Sequence, residues 1–457
     1  MTPSLPPPQT LAQMDKQSLW RPFTPMADWL RRDPLIIHSG QGSLLRDIEG
    51  REYIDGCASL WCNALGHRRP EVDAAVREQL DLIAHSTQLG LAHPQPILLA
   101  DRLVRIAPAG LKKVFFSGDG ASAVEAALKM AFQFWSQNGQ PQRRLFVSLQ
   151  NAYHGDTLGS VSVGGIDLFH ETYRPLLFGA VHVPSPFCYR CPLGLRRAAC
   201  GMACLRKAQD IIASRAQEIA AVIVEPMVQG AAGMIVMPPG YLKGIETACR
   251  GAGALLIADE VATGFGRTGR MFACQWEDVR PDLLTVGKAL TNGYLPVSAT
   301  LATQRVFDGF LGPGQTFYHG HTFSGNPLGC AAANATLDAM KAERIPESLA
   351  PRIALLQERL EAMRGLPHVG DVRGKGLMAG VEIVRDPATG QPFDPALRLG
   401  ARLCDAMRPR GVILRPLGDV LVVMPPLTIP LDLLSRLMDV IEETIRHDAP
   451  RLARENP

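Results

Sequence analysis

Short apolar runs alternate with amphipathic stretches from about residue 70 to residue 335, and this pattern limits the fold more than any other feature. Such alternation is typical of β-α-β units, in which helices cover a mainly parallel sheet. Amphipathic stretches such as 123–135 and 241–249 supply helices. The predicted strands are KKVFFS (112–117), RLFVSL (144–149), AAVIVEP (220–226), ALLIADEV (254–261) and LLTVGK (283–288). The sequence therefore predicts a large α/β domain.

The pattern changes after a helix predicted at AAANATLDAM (331–340). VGDVRGKGLMAGVEIV (369–384) and GVILRPLGDVLVVMPPL (411–427) predict strands and hairpins, and a helix over 432–447 follows. LLRDIEGREYID (44–55) predicts another hairpin, which can join this second region. We expect three parts: an N-terminal segment (1–68) joining the small domain, a large α/β domain (69–337) and a small α+β domain (338–457).

The ends and charges of the chain exclude several classes of protein. The first twenty residues have no apolar core of the kind found in signal peptides, and their prolines predict an extended tail. No apolar run is long enough to cross a bilayer. The 47 basic and 44 acidic residues are spread along the chain, without a basic run that would follow a phosphate backbone. We expect a cytoplasmic protein that binds neither membranes nor nucleic acid.

Ten cysteines in 457 residues do not form a disulfide scaffold, so the sequence predicts free thiols. FCYRCPLGLRRAACGMAC (187–204) places four of them close together: Cys188, Cys191, Cys200 and Cys204. This density permits tetrahedral zinc. Because CxxC followed by CxxxC is not a standard pair of zinc knuckles, free thiols on a loop are the preferred interpretation, and no metal is predicted.

Two charged residues end predicted strands. Lys288 closes LLTVGK, where apolar surroundings favour the neutral, nucleophilic amine, although a lone lysine at a strand end is more often at the surface. Asp259 and Glu260 lie near the end of ALLIADEV, at the edge where open α/β sheets bind ligands, and Asp259 is the candidate. A buried carboxylate needs a cationic partner, which a pyridinium nitrogen can supply. Capping of the following turn is the alternative role for Asp259.

Two loops offer further ligand contacts. In SGDGASAVEAALKMA (117–131), a strand leads into a helix whose N-terminal N–H groups favour an anion, so Gly120 and Ala121 are expected to line a phosphate site. In NAYHGDT (151–157), Tyr153 can cover a planar ring, with His154 beside it and Asp156 nearby. Each signal is weak alone, since glycine turns and core tyrosines are common, and the turn lacks the GxGxxG of dinucleotide sites.

The order of these features is more specific: phosphate turn, aromatic with histidine, aspartate, and a GK lysine 29 residues after that aspartate. Together with DEVATGFGRTG and HGHTFSGNPLGCAAA, they resemble the class-III (ornithine-aminotransferase-like) aminotransferases of pyridoxal-5′-phosphate (PLP) fold type I over nearly the whole chain. The resemblance implies PLP bound by Lys288 as a Schiff base and Asp259 paired with the pyridine nitrogen. It also implies a homodimer in which Thr322, beside His321, reaches the phosphate of the neighbouring subunit, and a ping-pong reaction.

Other segments narrow the substrate. SLWRPFTPM (18–26), YIDGCASLWCNALGH (53–67) and GVILRPLGDVLVVMPPL resemble the branch of this family that aminates 8-amino-7-oxononanoate (KAPA) in biotin biosynthesis. Arg415 matches its carboxylate-binding arginine, and Trp61 would line the apolar chain of the substrate. The remaining expected substrate contacts are Phe23, Leu60, Tyr153, Lys288 and Gly320. A surface ion pair for Arg415 and ordinary core packing for Trp61 are the alternatives.

The amino donor is expected to be S-adenosylmethionine or L-lysine. Users of adenosylmethionine in this branch carry a tyrosine, a second tryptophan, a serine and a proline where this chain has Phe23, Leu60, Ala121 and His321. Aromatic faces suit a sulfonium and an adenine, and this chain lacks one indole and one hydroxyl that could contact them. It therefore resembles the lysine-dependent variant of the branch. The same differences are compatible with an adenosylmethionine donor.

Three other functions share parts of this pattern. An ω-amino-acid or diamine transaminase would use the same Lys288 and Asp259. A dehydrogenase with a doubly wound sheet would bind nicotinamide instead. A PLP-binding regulator would lack turnover, which the substrate-side Arg415 argues against.

Overall fold

A seven-stranded sheet forms the centre of the computed structural model, which describes residues 5–455. The strands of the chain are β1 (Ile37–Gln41), β2 (Leu44–Asp47), β3 (Glu52–Asp55), β4 (Leu111–Ser117), β5 (Leu145–Leu149), β6 (Ala180–Val183), β7 (Ile219–Val224), β8 (Val228–Gln229), β9 (Ile235–Val236), β10 (Leu255–Asp259), β11 (Leu283–Val286), β12 (Ser298–Thr303), β13 (Val369–Lys375), β14 (Met378–Ile383), β15 (Val412–Ile413), β16 (Arg415–Leu417) and β17 (Val420–Val423). The central sheet has the order β4-β12-β11-β10-β7-β5-β6.

Helices cover this sheet and the smaller sheets. They are α1 (Pro8–Ser18), α2 (Met26–Trp29), α3 (Ala58–Trp61), α4 (Pro70–Leu82), α5 (Pro94–Ile106), α6 (Gly120–Gln137), α7 (Leu158–Ser162), α8 (Asp167–His170), α9 (Ala203–Ser214), α10 (Tyr241–Ala252), α11 (Gln304–Asp308), α12 (Pro327–Ala342), α13 (Ala350–Met363), α14 (Leu399–Met407) and α15 (Leu431–Leu452). Residue 337, where we expected a domain boundary, lies inside α12.

The five strands expected from apolar runs are present, and β12 lies antiparallel between β4 and β11. All residues of β7, β10 and β11 are buried, as expected for strands covered on both faces. Because the strands other than β12 run in one direction, their carboxyl ends share one edge of the sheet. The residues that follow β7, β10 and β11 therefore meet there.

Two four-stranded sheets lie outside the central one. The order β13-β14-β17-β16 is antiparallel throughout, and a second sheet has the order β1-β2-β3-β15. The hairpin predicted at 44–55 is confirmed, since β2 and β3 pair antiparallel. Parallel pairing of β3 with β15 links the N-terminal segment to the C-terminal part of the chain.

The prediction of an extended N-terminal tail is wrong from Pro8 onwards, and residues 1–4 lie outside the described residues. Pro8 begins α1, a position where the missing N–H of proline costs no hydrogen bond. Asp15 anchors the helix: it is buried, pairs with Arg21, and accepts a hydrogen bond from Trp29 Nε1 at 2.7 Å. Contacts with residues beyond the helix therefore order a segment that was predicted to be extended from its proline content.

Across residues 5–455, no helix is long and apolar enough to span a bilayer.

Candidate active site

A cavity of about 480 Å³ opens at the carboxyl edge of the central sheet. It brings together most of the residues predicted from sequence, namely Trp61, Gly120, Ala121, Tyr153, His154, Asp156, Asp259 and Lys288. Glu225, Gly230 and Val261 also line it. These residues come from six separate segments, so the site is created by the fold and not by proximity in the sequence.

Lys288 lies two residues after the end of β11, where it begins a short 3-10 helix with a positive φ of 42°. Its Nζ is 5.7 Å from the centre of the Trp61 ring. Burial lowers the pKa of Lys288, and the negative charges of Asp259 and Glu225 partly oppose that shift. The lowered pKa makes the neutral, nucleophilic amine more accessible than in an exposed lysine.

Asp259 is buried and held by three hydrogen bonds. Its Oδ1 accepts from Val261 N at 3.1 Å and Thr285 Oγ1 at 3.0 Å, and its Oδ2 lies 2.7 Å from His154 Nδ1. The neighbouring Glu260 accepts hydrogen bonds from Ala273 N and Cys274 N, both at 2.8 Å. Burial raises the pKa of Glu260 to about 7. Only Asp259 of this pair lines the cavity.

The predicted phosphate turn begins α6. Asp119 caps the helix, since its Oδ1 accepts a hydrogen bond from Ser122 N at 2.9 Å. A Cβ at Gly120 would lie 2.6 Å from Val261 Cγ1, and one at Gly155 would lie 2.4 Å from Ala121 Cβ. Glycine at both positions therefore allows the start of α6 to pack closely against Val261 and against the 153–157 loop. The first N–H groups of α6 have no hydrogen-bond partner within the helix.

Tyr153 belongs to a row of aromatic rings. Its hydroxyl donates to Asp156 Oδ2 at 2.7 Å, and burial together with this hydrogen bond raises the pKa of Tyr153. Phe169 lies 6.2 Å from the Tyr153 ring and 5.4 Å from the Phe23 ring, edge-on to both. Phe23 therefore contacts the site through Phe169, which the sequence analysis did not identify because only tertiary structure brings the two together.

Glu225, which follows β7, also lines the cavity and was not predicted from the sequence. It is buried and accepts hydrogen bonds from Tyr153 N at 3.1 Å and Gly230 N at 3.0 Å. Burial and the nearby Asp259 raise the pKa of Glu225. Glu225 directly follows β7, and Asp259 is the last residue of β10, so the criterion that identified Asp259 would also have identified Glu225.

Trp61 reaches the cavity from a strained turn. All four residues of α3 have positive φ values, between 46° and 72°, so this turn is left-handed. Asp55 holds it by accepting hydrogen bonds from Ser59 N at 3.1 Å and Ser59 Oγ at 3.0 Å. Such strain persists only where surrounding contacts fix it, and it is frequent at functional sites.

The remaining predicted residues lie outside the cavity wall of the described chain. They are Phe23, Leu60, Gly320, His321, Thr322 and Arg415. His321 lies near the phosphate turn, because a Cβ at Gly118 would be 3.4 Å from His321 Cε1. Arg415 is half-buried on β16, opposite Val422. The four loop cysteines line a separate, small cavity.

Comparison with known proteins places this geometry in a family. The model of the family described as aminotransferase class-III matches residues 26–445. The chain belongs to the class-III aminotransferases. It is a PLP-dependent enzyme of fold type I.

Individual relatives match nearly the whole chain. An adenosylmethionine-8-amino-7-oxononanoate aminotransferase of Geobacter sulfurreducens is 52% identical over 96% of this chain and 97% of its own. The crystal structure of the enzyme of that name from Methanocaldococcus jannaschii superposes with a TM-score of 0.92 at 42% identity, covering 96% and 98% of the two chains. An amine transaminase from an uncultivated Pseudomonas species, solved in its PLP-bound form, gives 0.89 at 40% identity, covering 94% and 98%.

The cavity residues fit this cofactor. Gly120 lets the start of α6 pack against Val261 at the cavity wall, and the N–H groups of this helix end suit a phosphate. Asp259 offers a buried carboxylate without an arginine or lysine paired to it among residues 5–455, which suits a protonated ring nitrogen. Lys288 offers an amine of lowered pKa. The phosphate, the ring nitrogen and the aldehyde of PLP are thus each matched by a suitable group: the helix N–H groups, Asp259 and Lys288.

Proposed function

We propose that this aminotransferase converts KAPA to 7,8-diaminononanoate in biotin biosynthesis. The observation that carries the proposal is the similarity, over 96% of this chain, to a relative named for that substrate. Arg415 supports it, because this half-buried guanidinium has no ion-pair partner among residues 5–455 and can bind a substrate carboxylate. In this proposal Arg415, on β16, binds the carboxylate of KAPA, and Trp61 lines the apolar chain of the substrate.

We infer specific roles for the cavity residues. Gly120 and Ala121 hold the phosphate, Tyr153 and Val261 contact the two faces of the ring, and Asp259 pairs with the ring nitrogen. His154 orients Asp259 through the 2.7 Å contact. When bound, PLP withdraws electrons from the substrate carbon that loses its proton.

Lys288 has two proposed tasks. It holds the cofactor covalently through its Nζ before the donor amine arrives, and it then transfers the proton as a free amine. Its low-dielectric surroundings favour the neutral amine that both tasks need. Trp61, close to Nζ, keeps water away from this atom.

We propose further that the active enzyme is a homodimer in which Thr322 of a second copy completes the phosphate site. Thr322 does not line the cavity of its own chain. Exposed apolar side chains on nearby segments, including Leu89 at 80% and Phe323 at 61%, offer a surface for that copy. Sedimentation equilibrium of the purified protein tests this, because a monomer with full activity would contradict it.

Arg415→Ala should weaken the KAPA half-reaction far more than the donor half-reaction. A charge-assisted hydrogen bond lost from the substrate carboxylate costs about 1.5 to 3 kcal/mol, or roughly a tenfold to hundredfold rise in the KM for KAPA. Stopped-flow measurement of each half-reaction checks this. Arg436→Ala, an exposed arginine on α15, is the matched control. An equal loss of rate in both half-reactions would instead indicate that Arg415 has only a structural role.

We propose L-lysine as the amino donor, although the relatives' names mention adenosylmethionine. The support comes from the site: Leu60 is 45% exposed beside Trp61, and Phe23 carries no hydroxyl where its ring contacts Phe169. Each missing aromatic contact to a sulfonium or adenine costs about 0.5 to 2 kcal/mol. We therefore expect kcat/KM for lysine to exceed that for adenosylmethionine by about tenfold or more.

The donor experiment mixes the PLP form with each donor and follows loss of the cofactor's visible absorption band, then adds KAPA and measures diaminononanoate. Rapid loss of the band with adenosylmethionine and none with lysine would overturn the lysine proposal and leave KAPA as acceptor. Ornithine and 4-aminobutyrate serve as further donors, because the similarity to amine transaminases makes a broader ω-transaminase the second candidate. Turnover of these donors with simple ketones, and none with KAPA, would favour that candidate.

A further inference from the structure

The loop over residues 184–202 lies between β6 and α9 and contains neither helix nor strand. Loops of this length are uncommon in compact domains unless something orders them. This one is fixed to the C-terminal part of the chain, since Arg190 Nε donates to Glu382 Oε1 at 2.6 Å and Arg190 Nη1 to the Gly390 carbonyl at 2.9 Å. The loop therefore connects the central sheet to the β13-β14 hairpin region and needs a defined shape.

Four cysteines converge on this loop. Cys188 and Cys191 form the first pair; Cys200 precedes α9 and Cys204 lies in its first turn. All four line one cavity of about 20 Å³, which is large enough for a single ion or water molecule. All four are half-buried and none forms a disulfide.

Two of the thiols form long hydrogen bonds to carbonyl groups of the loop. Cys188 Sγ donates to the Pro186 carbonyl at 3.7 Å and Cys200 Sγ to the Arg197 carbonyl at 3.6 Å. Within residues 5–455, no three candidate ligand side chains are already arranged around a metal position. Thiol hydrogen bonds are weak, so stronger metal–thiolate bonds would replace them and turn the sulfur atoms towards the shared cavity.

The surroundings suit a thiolate cluster. Four thiolates around a divalent metal carry a net charge of about −2, which nearby cations stabilise. Arg197 lines the same cavity, and Arg206 donates to the Cys200 carbonyl at 3.1 Å. Zinc is the metal that tetrahedral sulfur ligation at closed sites favours.

We propose that Cys188, Cys191, Cys200 and Cys204 bind one structural zinc ion that joins the loop over residues 184–202 to the first turn of α9 and so fixes the shape of the loop. The site is separate from the proposed PLP cavity, since none of the four cysteines lines that cavity. It does not depend on the identity of the substrate.

The test measures zinc per chain in the purified, PLP-loaded protein by mass spectrometry after removal of loosely bound metal. We expect about one zinc per chain in the natural protein, a loss of most of it in Cys188→Ser/Cys191→Ser, and no change in Cys404→Ala. Cys404 is a matched control because it is a cysteine buried on α14, outside the cluster. Replacing zinc with Co²⁺ should give the absorption bands of tetrahedral thiolate coordination.

A second readout separates metal binding from general damage. Limited proteolysis within 184–202 should accelerate at least about tenfold when zinc is removed, while secondary structure and PLP binding persist. If Cys188→Ser/Cys191→Ser fails to fold, the zinc content and cobalt spectrum of the natural protein decide the matter. Zinc well below one per chain, retention of all zinc by the folded double variant, or iron with acid-labile sulfide would each overturn the proposal.

Discussion

Lys288→Ala is expected to lower the rate of transamination by roughly 10³-fold or more while the fold persists. The change removes the amine that lies 5.7 Å from the Trp61 ring centre and faces the charges of Asp259 and Glu225. In the proposed mechanism this one atom both holds the cofactor and moves the proton, so no neighbouring group can replace it. Steady-state assays with KAPA, with circular dichroism as the test of folding, measure the effect.

Controls distinguish chemistry from packing in this experiment. Lys341→Ala, an exposed lysine on α12, should leave the rate unchanged. Added small primary amines should restore part of the rate of Lys288→Ala, because they can supply a proton-transfer base in the space left behind. Near-normal turnover by the folded Lys288→Ala protein would remove Lys288 from the mechanism.

The sequence predicted those parts of the fold that local pattern encodes. β7 and β10 are continuous apolar runs, and they are strands because both of their faces are covered. β12, SATLAT, was not predicted because its small and hydroxyl side chains lack an apolar run. The hydroxyl groups of these buried side chains donate tertiary hydrogen bonds. Ser298 Oγ donates to the Asp119 carbonyl at 2.5 Å, and Thr300 Oγ1 donates to the Ala123 carbonyl at 2.7 Å.

The same difference between local sequence pattern and tertiary contact explains which site residues could be predicted. Asp259 and Lys288 could be identified because parallel strands end at one edge, so two distant strand ends imply one location. Phe169 and the left-handed turn of Trp61 follow from contacts between segments far apart in the sequence. The expected roles of Thr322 and Arg415 rest on family resemblance, because these residues do not line the cavity of a single chain.

Asp259→Asn is expected to slow both half-reactions by about a hundredfold to a few thousandfold. Removing one partner of a buried ion pair costs about 3 to 5 kcal/mol, and here the pair is the proposed contact between the carboxylate and the protonated ring nitrogen. Asparagine keeps an oxygen for Thr285 Oγ1 and Val261 N, which now donate to Asp259 Oδ1 at 3.0 and 3.1 Å, so the fold should persist. Transient kinetics of each half-reaction measure the loss.

A cofactor analogue with carbon in place of the ring nitrogen separates this role from simple positioning. If Asp259 acts through that nitrogen, the natural protein with the analogue and Asp259→Asn with PLP should be impaired to a similar degree. Combining the two changes should then add little, since each removes the same interaction, whereas independent effects would multiply. A structural role, in which Asp259 only holds His154 through the 2.7 Å contact, predicts multiplication. Multiplied losses would therefore contradict the proposed pairing, and the non-additive result would assign the charge of Asp259 to the ring nitrogen.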